Sequence, residues 1–245
     1  MKFVSSGDNA LIIELDDVIS AKINYQIKQI KQKLLKLDLD FINEILPTYR
    51  SLMIYYDCFK ISFEELKKLI KKECKFNFDA KTKILKEFIE IPLCYGGEFG
   101  EDLEFIAKHN NLSIQEVINI HSKNEYLIYM LGFTPGFPYL GGMDKSIATP
   151  RLKNPRLKIP AGSVGIAGEQ TGVYPIESPG GWQLLGRTPL KLFDLNQENP
   201  FLLGAGKYIK FKAIEKNEYQ ALEKQVKENT FNPKTYTKEA NLEDL

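Results

Sequence analysis

Three of the four arginines in this chain fall within one segment rich in glycine and proline, and they are the first candidates for chemistry. These residues are Arg151, Arg156 and Arg187. A guanidinium offers a flat fork of donors that suits a carboxylate or a phosphate, so each arginine is a candidate anion contact. The alternative is that the same groups pin loops by bonding to carbonyls and carboxylates. The sequence leaves both interpretations open.

Ser163 is a second candidate, and it stands in the glycine-rich run AGSVGIAG at residues 161–168. The run has neither the dinucleotide-binding fingerprint nor the lysine of a Walker A loop, and it does not frame Ser163 as a nucleophile elbow. The Ser163 hydroxyl can still donate a hydrogen bond, and the neighbouring amides can form an anion-binding nest. A plain β-turn accounts for the same pattern.

His121 is the candidate proton donor or acceptor. It follows Ile118 by three residues and Ile114 by seven, so it shares their apolar face on a helix predicted over residues 113–122. It also falls at the C-terminal end of that helix, where the dipole favours a protonated imidazole. A hydrogen-bonded, partly buried histidine is the commoner case at such a position. The functional alternative is a proton-transfer group beside the loops.

Trp182, the only tryptophan, follows the sequence SPGG at residues 178–181. Proline and glycine at the second and third positions predict a type II turn that would hold the indole in a fixed direction. By default a tryptophan belongs to the core. Beside a pocket it can instead form the wall on which a planar ligand rests.

The elements that position these residues are predicted to be short strands. Sixteen of the 17 glycines and ten of the 12 prolines lie between Pro92 and Gly206, with large apolar residues between them. Such spacing predicts strands joined by tight turns, as in a barrel or sandwich. The predicted strands cover residues 126–131, 164–167, 174–177, 182–185, 190–195 and 207–213. A helix is predicted over 215–228, and the last dozen residues are expected to be frayed.

The first 90 residues predict a small α+β unit with no catalytic signature. Strands are predicted at 10–15, 51–56 and 83–91, with helices over 19–37 and from Ser62, where Glu65 completes a capping box. This order resembles a ferredoxin-like arrangement. Two further helices, over 101–110 and 113–122, have helix-turn-helix spacing. The second lacks arginine and carries Glu116, which disfavours DNA binding.

Composition narrows the class of protein. The chain has 245 residues, 43% of them hydrophobic and 27% charged, and a net charge of +1. This balance is typical of globular proteins and favours neither nucleic acid nor a membrane as partner. Three cysteines at long spacings predict no disulfide framework and no zinc site. With no signal peptide and no apolar run of membrane length, a cytoplasmic location is expected.

Several motifs together resemble one family. They read IPLCYGGEFGEDL (91–103), GFTPGFPYLGG (132–142), PRLKNPRLKIPAGSVGIAG (150–168), QTGVYP (170–175) and PGGWQLLGRTP (179–189). With GDNALIIEL (7–15) and PTYRSLMIYYD (47–57), they resemble the PxpB/KipI family across roughly residues 1–214. That family supplies the B subunit of ATP-dependent 5-oxoprolinase and is also labelled allophanate hydrolase subunit 1.

The resemblance implies an N-terminal ferredoxin-like α+β domain over 1–90, a cyclophilin-like β-barrel domain over 91–228 and a polar tail over 229–245. It implies two partners from the same enzyme: the C subunit, which carries a sister barrel, and the A subunit, which is associated with ATP-dependent activation of the lactam. The reaction converts 5-oxoproline, ATP and water into glutamate, ADP and phosphate. No ATP-binding motif is visible in this chain, which is expected to be inactive alone. Two alternatives are an inhibitor of a sporulation histidine kinase and a subunit of urea or allophanate metabolism.

Under this interpretation Arg156 and Arg187 contact the anionic substrate, Ser163 supports them, and His121 transfers a proton. No metal is expected. The substrate-binding residues are predicted to be Pro135, Gly136, Phe137, Tyr139, Gly162, Gln170, Gly180, Gly181 and Trp182. The chain departs from the family pattern at Glu101, where proline is usual, and at Lys207, where aspartate is usual after glycine.

Overall fold

The structure is a computed structural model that describes residues 1–75 and 82–245. The chain forms two compact units, one of Met1–Leu85 with Glu239–Leu245 and one of Lys86–Lys238. These bounds differ from the predicted segments 1–90, 91–228 and 229–245, because the last seven residues belong to the first unit.

The secondary structure comprises helices, strands and short 3-10 turns. The helices are α1 (Ala21–Lys36), α2 (Phe63–Glu73), α3 (Leu103–His109), α4 (Ile114–Lys123) and α5 (Lys216–Lys227). The strands are β1 (Lys2–Ser5), β2 (Ala10–Glu14), β3 (Ile42–Pro47), β4 (Ser51–Tyr56), β5 (Lys83–Tyr95), β6 (Tyr126–Leu131), β7 (Pro138–Gly141), β8 (Arg156–Ile159), β9 (Ser163–Ala167), β10 (Gln170–Val173), β11 (Ser178–Gly180), β12 (Gln183–Arg187), β13 (Tyr208–Ala213) and β14 (Thr235–Asn241). The 3-10 turns cover Gly97–Phe99, Lys145–Ile147 and Leu242–Asp244.

The first unit is a four-stranded antiparallel sheet in the order β1-β2-β4-β3, with α1 and α2 contributing to one hydrophobic cluster against it. Alternate residues of β2 and β4, such as Leu11 and Ile54, meet residues spaced three or four apart on α1, such as Ile27. The predicted capping box at Ser62 and Glu65 opens α2. The ferredoxin-like interpretation is confirmed, with one change. β1 takes the edge that was predicted for residues 83–91.

The second unit is built on a sheet in the order β10-β9-β12-β5-β13-β6-β7, with β14 paired to β5. The edge strands β10 and β7 lie against each other, which nearly closes the sheet into a barrel. β8 and β11 form a separate two-stranded ribbon. The barrel interior is filled by a cluster that includes Ile91, Val164 and Phe211. The predicted barrel is therefore confirmed.

Three predictions about local structure are wrong. Residues 174–177 and 190–195 are not strands; Leu190 and Leu192 are buried in the barrel cluster without joining the sheet ladder. The sequence SPGG forms β11 rather than a turn, and Gly180 has no positive φ. A Cβ at Gly180 would overlap the hydroxyl of Tyr174, so glycine is present for close packing and not for a turn.

The C-terminal segment is ordered, contrary to the expectation of a frayed tail. Residues Thr235–Asn241 form β14, where Tyr236 stacks on Phe88 with ring centroids 5.0 Å apart. Leu242 is fully buried, and its amide donates to the carbonyl of Thr82. The stacked ring of the half-buried Tyr236 and the buried Leu242 outweigh the polar composition of the segment.

Three negative findings hold for residues 1–75 and 82–245. No helix there combines the length and the apolar character needed to cross a lipid bilayer. No three side chains of His, Cys, Asp or Glu converge there as a metal site would require. No cysteine there forms a disulfide: Cys58 is exposed, whereas Cys74 and Cys94 are buried.

Candidate functional site

Ser163 and Arg187 lie side by side on adjacent strands of the barrel. Arg187 on β12 is directly opposite Ser163 on β9 and, on its other side, opposite Cys94 on β5. Residues directly opposite in antiparallel strands project from the same face of a sheet. The structure therefore brings together two of the four predicted catalytic residues, and we call them the Ser163–Arg187 pair.

Arg187 is a half-buried cation without a carboxylate partner. Its guanidinium lies over the ring of Phe99 at 5.6 Å, and its Nη2 donates to the Glu98 carbonyl at 3.3 Å. Within the described part of the chain, no carboxylate oxygen lies within salt-bridge distance of it. Its Nε is buried and makes no hydrogen bond, and the same is true of the buried Ser163 Oγ. Buried polar atoms are normally hydrogen-bonded, so these two unpaired atoms, on residues directly opposite each other, mark the pair as a candidate site.

The glycine-rich loop holds Arg187 closely but does not itself cradle an anion. Gly162 has φ +81°, and a Cβ there would overlap the Thr188 carbonyl oxygen. The amides of Gly162, Ser163 and Gly168 donate to the carbonyls of residues 174, 160 and 149, at 2.7, 3.2 and 2.8 Å. These donors are already satisfied, so the turn interpretation fits and the nest interpretation does not.

Arg156 is held by two carboxylates. Its Nη2 lies 2.8 Å from Asp102 Oδ1, its Nε lies 2.9 Å from Glu101 Oε1, and its Nη1 donates to the Trp182 carbonyl at 3.3 Å. The second Asp102 oxygen accepts from the Leu184 amide at 2.7 Å. Arg156 therefore pins one segment to another, which was the alternative left open by the sequence.

Sequence reasoning missed Asp102 altogether. It lies directly before α3, and an acidic pair there, with an arginine elsewhere, is too common a pattern to predict an ion pair. Glu101, which departs from the family pattern, supplies the second carboxylate to Arg156.

The aromatic residues predicted to line a pocket, Phe137, Tyr139 and Trp182, pack on one another and on Tyr174. We call Phe137, Tyr139, Tyr174 and Trp182 the aromatic cluster; the Phe137 ring centroid lies 5.3 Å from that of Tyr139 and 5.8 Å from those of the other two. Phe137 and Trp182 are buried, and Tyr139 is half-buried. The aromatic cluster is a small hydrophobic core of its own, and Tyr139 lies at its more exposed edge.

Glycines make room for this cluster. A Cβ at Gly172 would lie 3.0 Å from the indole of Trp182 and 3.2 Å from the ring of Phe137. A Cβ at Gly136, which has φ +81°, would lie 3.2 Å from Phe193 Cβ. The indole rests on bare backbone, so a larger residue at Gly172 would displace it.

The remaining predicted residues lie around this surface. Pro135 and Arg151 are exposed, and Gln170 is half-buried at the start of β10. The carbonyl of Gly181 accepts from the Leu152 amide at 2.7 Å. The structure gives these residues surface or loop-closing positions and does not bring them to the Ser163–Arg187 pair.

His121 is fully buried, and both of its ring nitrogens are occupied. Nδ1 lies 2.7 Å from the Tyr95 hydroxyl, Nε2 lies 3.1 Å from Thr171 Oγ1, and the ring stacks on Phe211 at 4.7 Å. Burial lowers the pKa of His121 to about 3. Thr171 is opposite Ile166, which alternates with Ser163 along β9, so the imidazole bonds to the opposite face of the sheet. The geometry therefore supports a structural histidine and does not support proton transfer at the Ser163–Arg187 pair.

A cavity of about 520 Å³ is lined in part by the turn whose Glu98 and Phe99 contact Arg187. Its lining includes Tyr95, the turn Gly97–Phe99, Ile118 and Lys216. The Lys216 ammonium lies 2.6 Å from Glu98 Oε1, and this contact, with a smaller effect of Arg187, lowers the pKa of Glu98. Sequence reasoning missed Glu98, Phe99 and Lys216, because only the fold brings α5 to this turn.

The family of this chain follows from its match to known proteins. The family model described as carboxyltransferase domain, subdomain C and D, matches residues 1–203. The chain therefore belongs to the carboxyltransferase-domain family.

Two similar relatives are both 5-oxoprolinase B subunits. The chain is 44% identical over 225 residues to the 5-oxoprolinase B subunit of Bacillus subtilis strain 168, which covers 88% of this chain and 93% of the relative. It is 38% identical over 206 residues to the 5-oxoprolinase B subunit of Escherichia coli O157:H7, which covers 84% of this chain and 92% of the relative. The predicted resemblance to the PxpB/KipI family is confirmed.

The solved structure of a more distant protein has the same fold as this chain. The urea carboxylase of Kluyveromyces lactis superposes with a TM-score of 0.77, covering 99% of this chain and 24% of that chain, at 20% identity. This similarity shows that the two proteins share an architecture, and it does not identify a substrate for this chain.

Proposed function

We propose that this protein is the B subunit of an ATP-dependent 5-oxoprolinase and takes part in opening the 5-oxoproline ring to glutamate. The observation that carries the proposal is the 44% identity to a protein of that name, extending over 93% of the relative. The Ser163–Arg187 pair supports it, because the substrate is a small carboxylate and the pair offers an unneutralised cation beside a hydroxyl.

The reaction is favoured by hydrogen-bond donors that are already held in place. A lactam opens slowly because its nitrogen is a poor leaving group and negative charge builds on the carbonyl oxygen. Donors already oriented toward that charge lower the barrier. In this proposal Arg187 binds an anionic group of the substrate through the guanidinium edge not stacked on Phe99. The Ser163 hydroxyl donates to the same group.

ATP does not fit the glycine-rich loop of this chain. Its amides at Gly162, Ser163 and Gly168 are engaged by backbone carbonyls, so they are not free to hold phosphate oxygens. We therefore assign ATP binding to one of the partner proteins and the binding of the organic anion to this chain.

The partners in this proposal are the other two components of the enzyme, namely the C subunit, with its sister barrel, together with the A subunit. The isolated chain is expected to be inactive, because the Ser163–Arg187 pair has no general base beside it in the described part of the chain. Glu98, an acid beside Arg187, is engaged by Lys216, and His121 is occupied inside the barrel.

Reconstitution tests the proposal. The chain is mixed with the A and C subunits encoded in the same genome, and ATP-coupled release of glutamate from 5-oxoproline is followed. We expect turnover only when all three proteins are present. Turnover of urea or allophanate in place of 5-oxoproline, or inhibition of a histidine kinase by the chain alone without any turnover by the mixture, would contradict the proposal.

A further inference from the structure

We propose that His121 is a positioning residue for Arg187, acting as a neutral imidazole that carries its proton on Nε2. The inference rests on the proposed function only in taking Arg187 as the anion contact. The hydrogen bonds around His121 fix the direction of each donor, and they end on the two strands that flank Arg187.

The donor and the acceptor in each of these linked hydrogen bonds can be assigned by starting from the Gly165 carbonyl. Thr171 Oγ1 lies 3.0 Å from the Gly165 carbonyl, which can only accept, so the single hydroxyl proton of Thr171 is used there. Thr171 Oγ1 must then accept from His121, which places a proton on Nε2. A neutral imidazole has no second proton, so Nδ1 accepts from the Tyr95 hydroxyl.

The two ends of these linked hydrogen bonds lie on either side of β12. Tyr95 ends β5 and Gly165 lies in β9, and the sheet order β9-β12-β5 places the strand of Arg187 between them. α4 is held to the same group, because the Tyr126 hydroxyl donates to the His121 carbonyl at 2.8 Å. The imidazole therefore fixes the spacing of the two strands between which Arg187 sits.

β5 and β12 pack closely beside Arg187. Tyr95 is directly opposite Gly186, and a Cβ at Gly186 would overlap the Cys94 carbonyl oxygen and lie 3.1 Å from Tyr95 Cα. Tyr95 also leads into the turn whose Phe99 and Glu98 contact the guanidinium. A shift of Tyr95 is therefore passed directly to the backbone and to the stacking partner of Arg187.

The test uses the small number of arginines. With ¹⁵N-labelled arginine, the full-length protein gives four side-chain Nε–H signals, which single Arg→Lys variants assign. We expect Tyr95→Phe and Thr171→Val each to shift the Arg187 signal, and Thr171→Ser, which keeps the hydroxyl, to restore it. Arg50 and Arg156 are the matched controls, and their signals are expected to stay in place.

Histidine spectra provide a second measurement that does not depend on any substitution. At neutral pH the wild-type His121 ring is expected to show a protonated Nε2 and an unprotonated Nδ1. The opposite tautomer overturns the inference. An Arg187 signal that stays in place in folded Tyr95→Phe and Thr171→Val proteins, or control signals that move as far as that of Arg187, also overturns it.

Kinetics of the assembled complex separate positioning from proton transfer. Misplacing an anion contact is expected to raise KM for 5-oxoproline about tenfold in Thr171→Val, with recovery in Thr171→Ser. Replacing the imidazole in His121→Asn is expected to leave the pH dependence of kcat unchanged, whereas loss of one limb of the profile would make His121 an acid or base. If the wild-type complex fails to convert 5-oxoproline, the proposed function fails while the arginine spectra still decide the positioning role.

Discussion

Arg156 and Arg187 occupy the same barrel unit but are held in opposite ways. Arg156 lies between Asp102 and Glu101 and has no charge left for a ligand. Arg187 lies over the ring of Phe99, donates to a backbone carbonyl and leaves Nε unpaired. The difference teaches that an arginine's availability for a ligand depends on its neighbours in the fold, which the sequence around each arginine does not reveal.

The same contrast predicts different consequences when each arginine is removed. Removing a cation that neutralises partly buried carboxylates harms the folded state first. Removing a cation without a carboxylate partner harms ligand binding first, because its loss leaves no ion pair broken within the described part of the chain. Four substitutions test this contrast, and we order them from the largest expected effect to the smallest.

The largest effect is expected for Arg187→Ala in the assembled complex. Loss of a fixed donor at a developing negative charge lowers kcat/KM about 100-fold or more. The measurement is ATP-coupled glutamate release, with thermal unfolding of the same protein recorded beside it. Arg187→Lys is the matched control and is expected to recover part of the activity, because it keeps the charge and loses the planar fork. Activity in Arg187→Ala that stays close to the wild-type level would remove Arg187 from the site.

Gly162→Ala is expected to destabilise the protein by about 3 kcal/mol. The new Cβ meets the Thr188 carbonyl oxygen, beside Arg187, and the backbone is held at φ +81°. Gly168→Ala is the matched control, because φ is +61° there and nothing lies within 4 Å of an added Cβ. Only the left-handed backbone then destabilises the folded protein, by about 1 kcal/mol. Chemical denaturation measures both. Equal losses in the two variants would show that contact with Thr188 is unimportant.

Arg156→Ala is expected to destabilise the barrel unit by about 2 kcal/mol, because Asp102 is left mostly buried without its cation. The control is Glu101→Ala, which removes an exposed partner of the same arginine and is expected to change stability by less than about 0.5 kcal/mol. Turnover of the assembled complex, corrected for the fraction folded, is expected to stay near wild type in both. A loss of turnover in folded Arg156→Ala as large as in Arg187→Ala would abolish the contrast between the two arginines.

The effect that is smallest near neutral pH is a pH dependence of stability from His121, which grows as the pH falls. Its pKa falls from 6.5 to about 3 on folding, so the unfolded chain takes up a proton that the folded chain does not. This contribution to stability is fully present above pH 6.5. It is lost at about 1.4 kcal/mol per pH unit as the pH falls from 6.5 toward 3.

The difference in unfolding free energy between wild type and His121→Asn measures this contribution, since the carboxylates titrate alike in both proteins. The exposed His109 provides a matched control for the His→Asn substitution itself, measured at neutral pH. An unchanged slope in His121→Asn contradicts a neutral buried imidazole and leaves His121 as a charged group that could compete with Arg187 for anions.

Much of the fold could be predicted from residue spacing. The apolar period of α1 and the capping boxes at Ser62 and Ser113 are local signals, and the structure contains all three. The predictions for the SPGG segment and for the last residues are wrong for the same reason. Gly180 and Tyr236 have roles defined by Tyr174 and Phe88, which lie on other elements of the fold.

The candidate site was predictable in its residue types and not in its electrostatics. Sequence reasoning named Ser163 and Arg187, and the sheet register places them opposite each other. It gave Arg156 the same role, because Asp102 lies 54 residues away and gives no sign of pairing. For His121 the apolar face indicated burial correctly, but its partners Tyr95 and Thr171 come from β5 and β10, which only the folded sheet brings to α4.

The long strand β5 has a consequence for how the chain is made. Its partners are β12, β13 and β14, all of which the ribosome produces after it, and its pairing with β13 joins Phe88 to Tyr208. An apolar strand with both edges unpaired therefore waits while roughly a hundred further residues are synthesised. Such a strand is expected to fold late and to be open to pairing with other nascent chains. At high expression, slower translation or added chaperone should raise the yield of native protein more than any substitution on its surface.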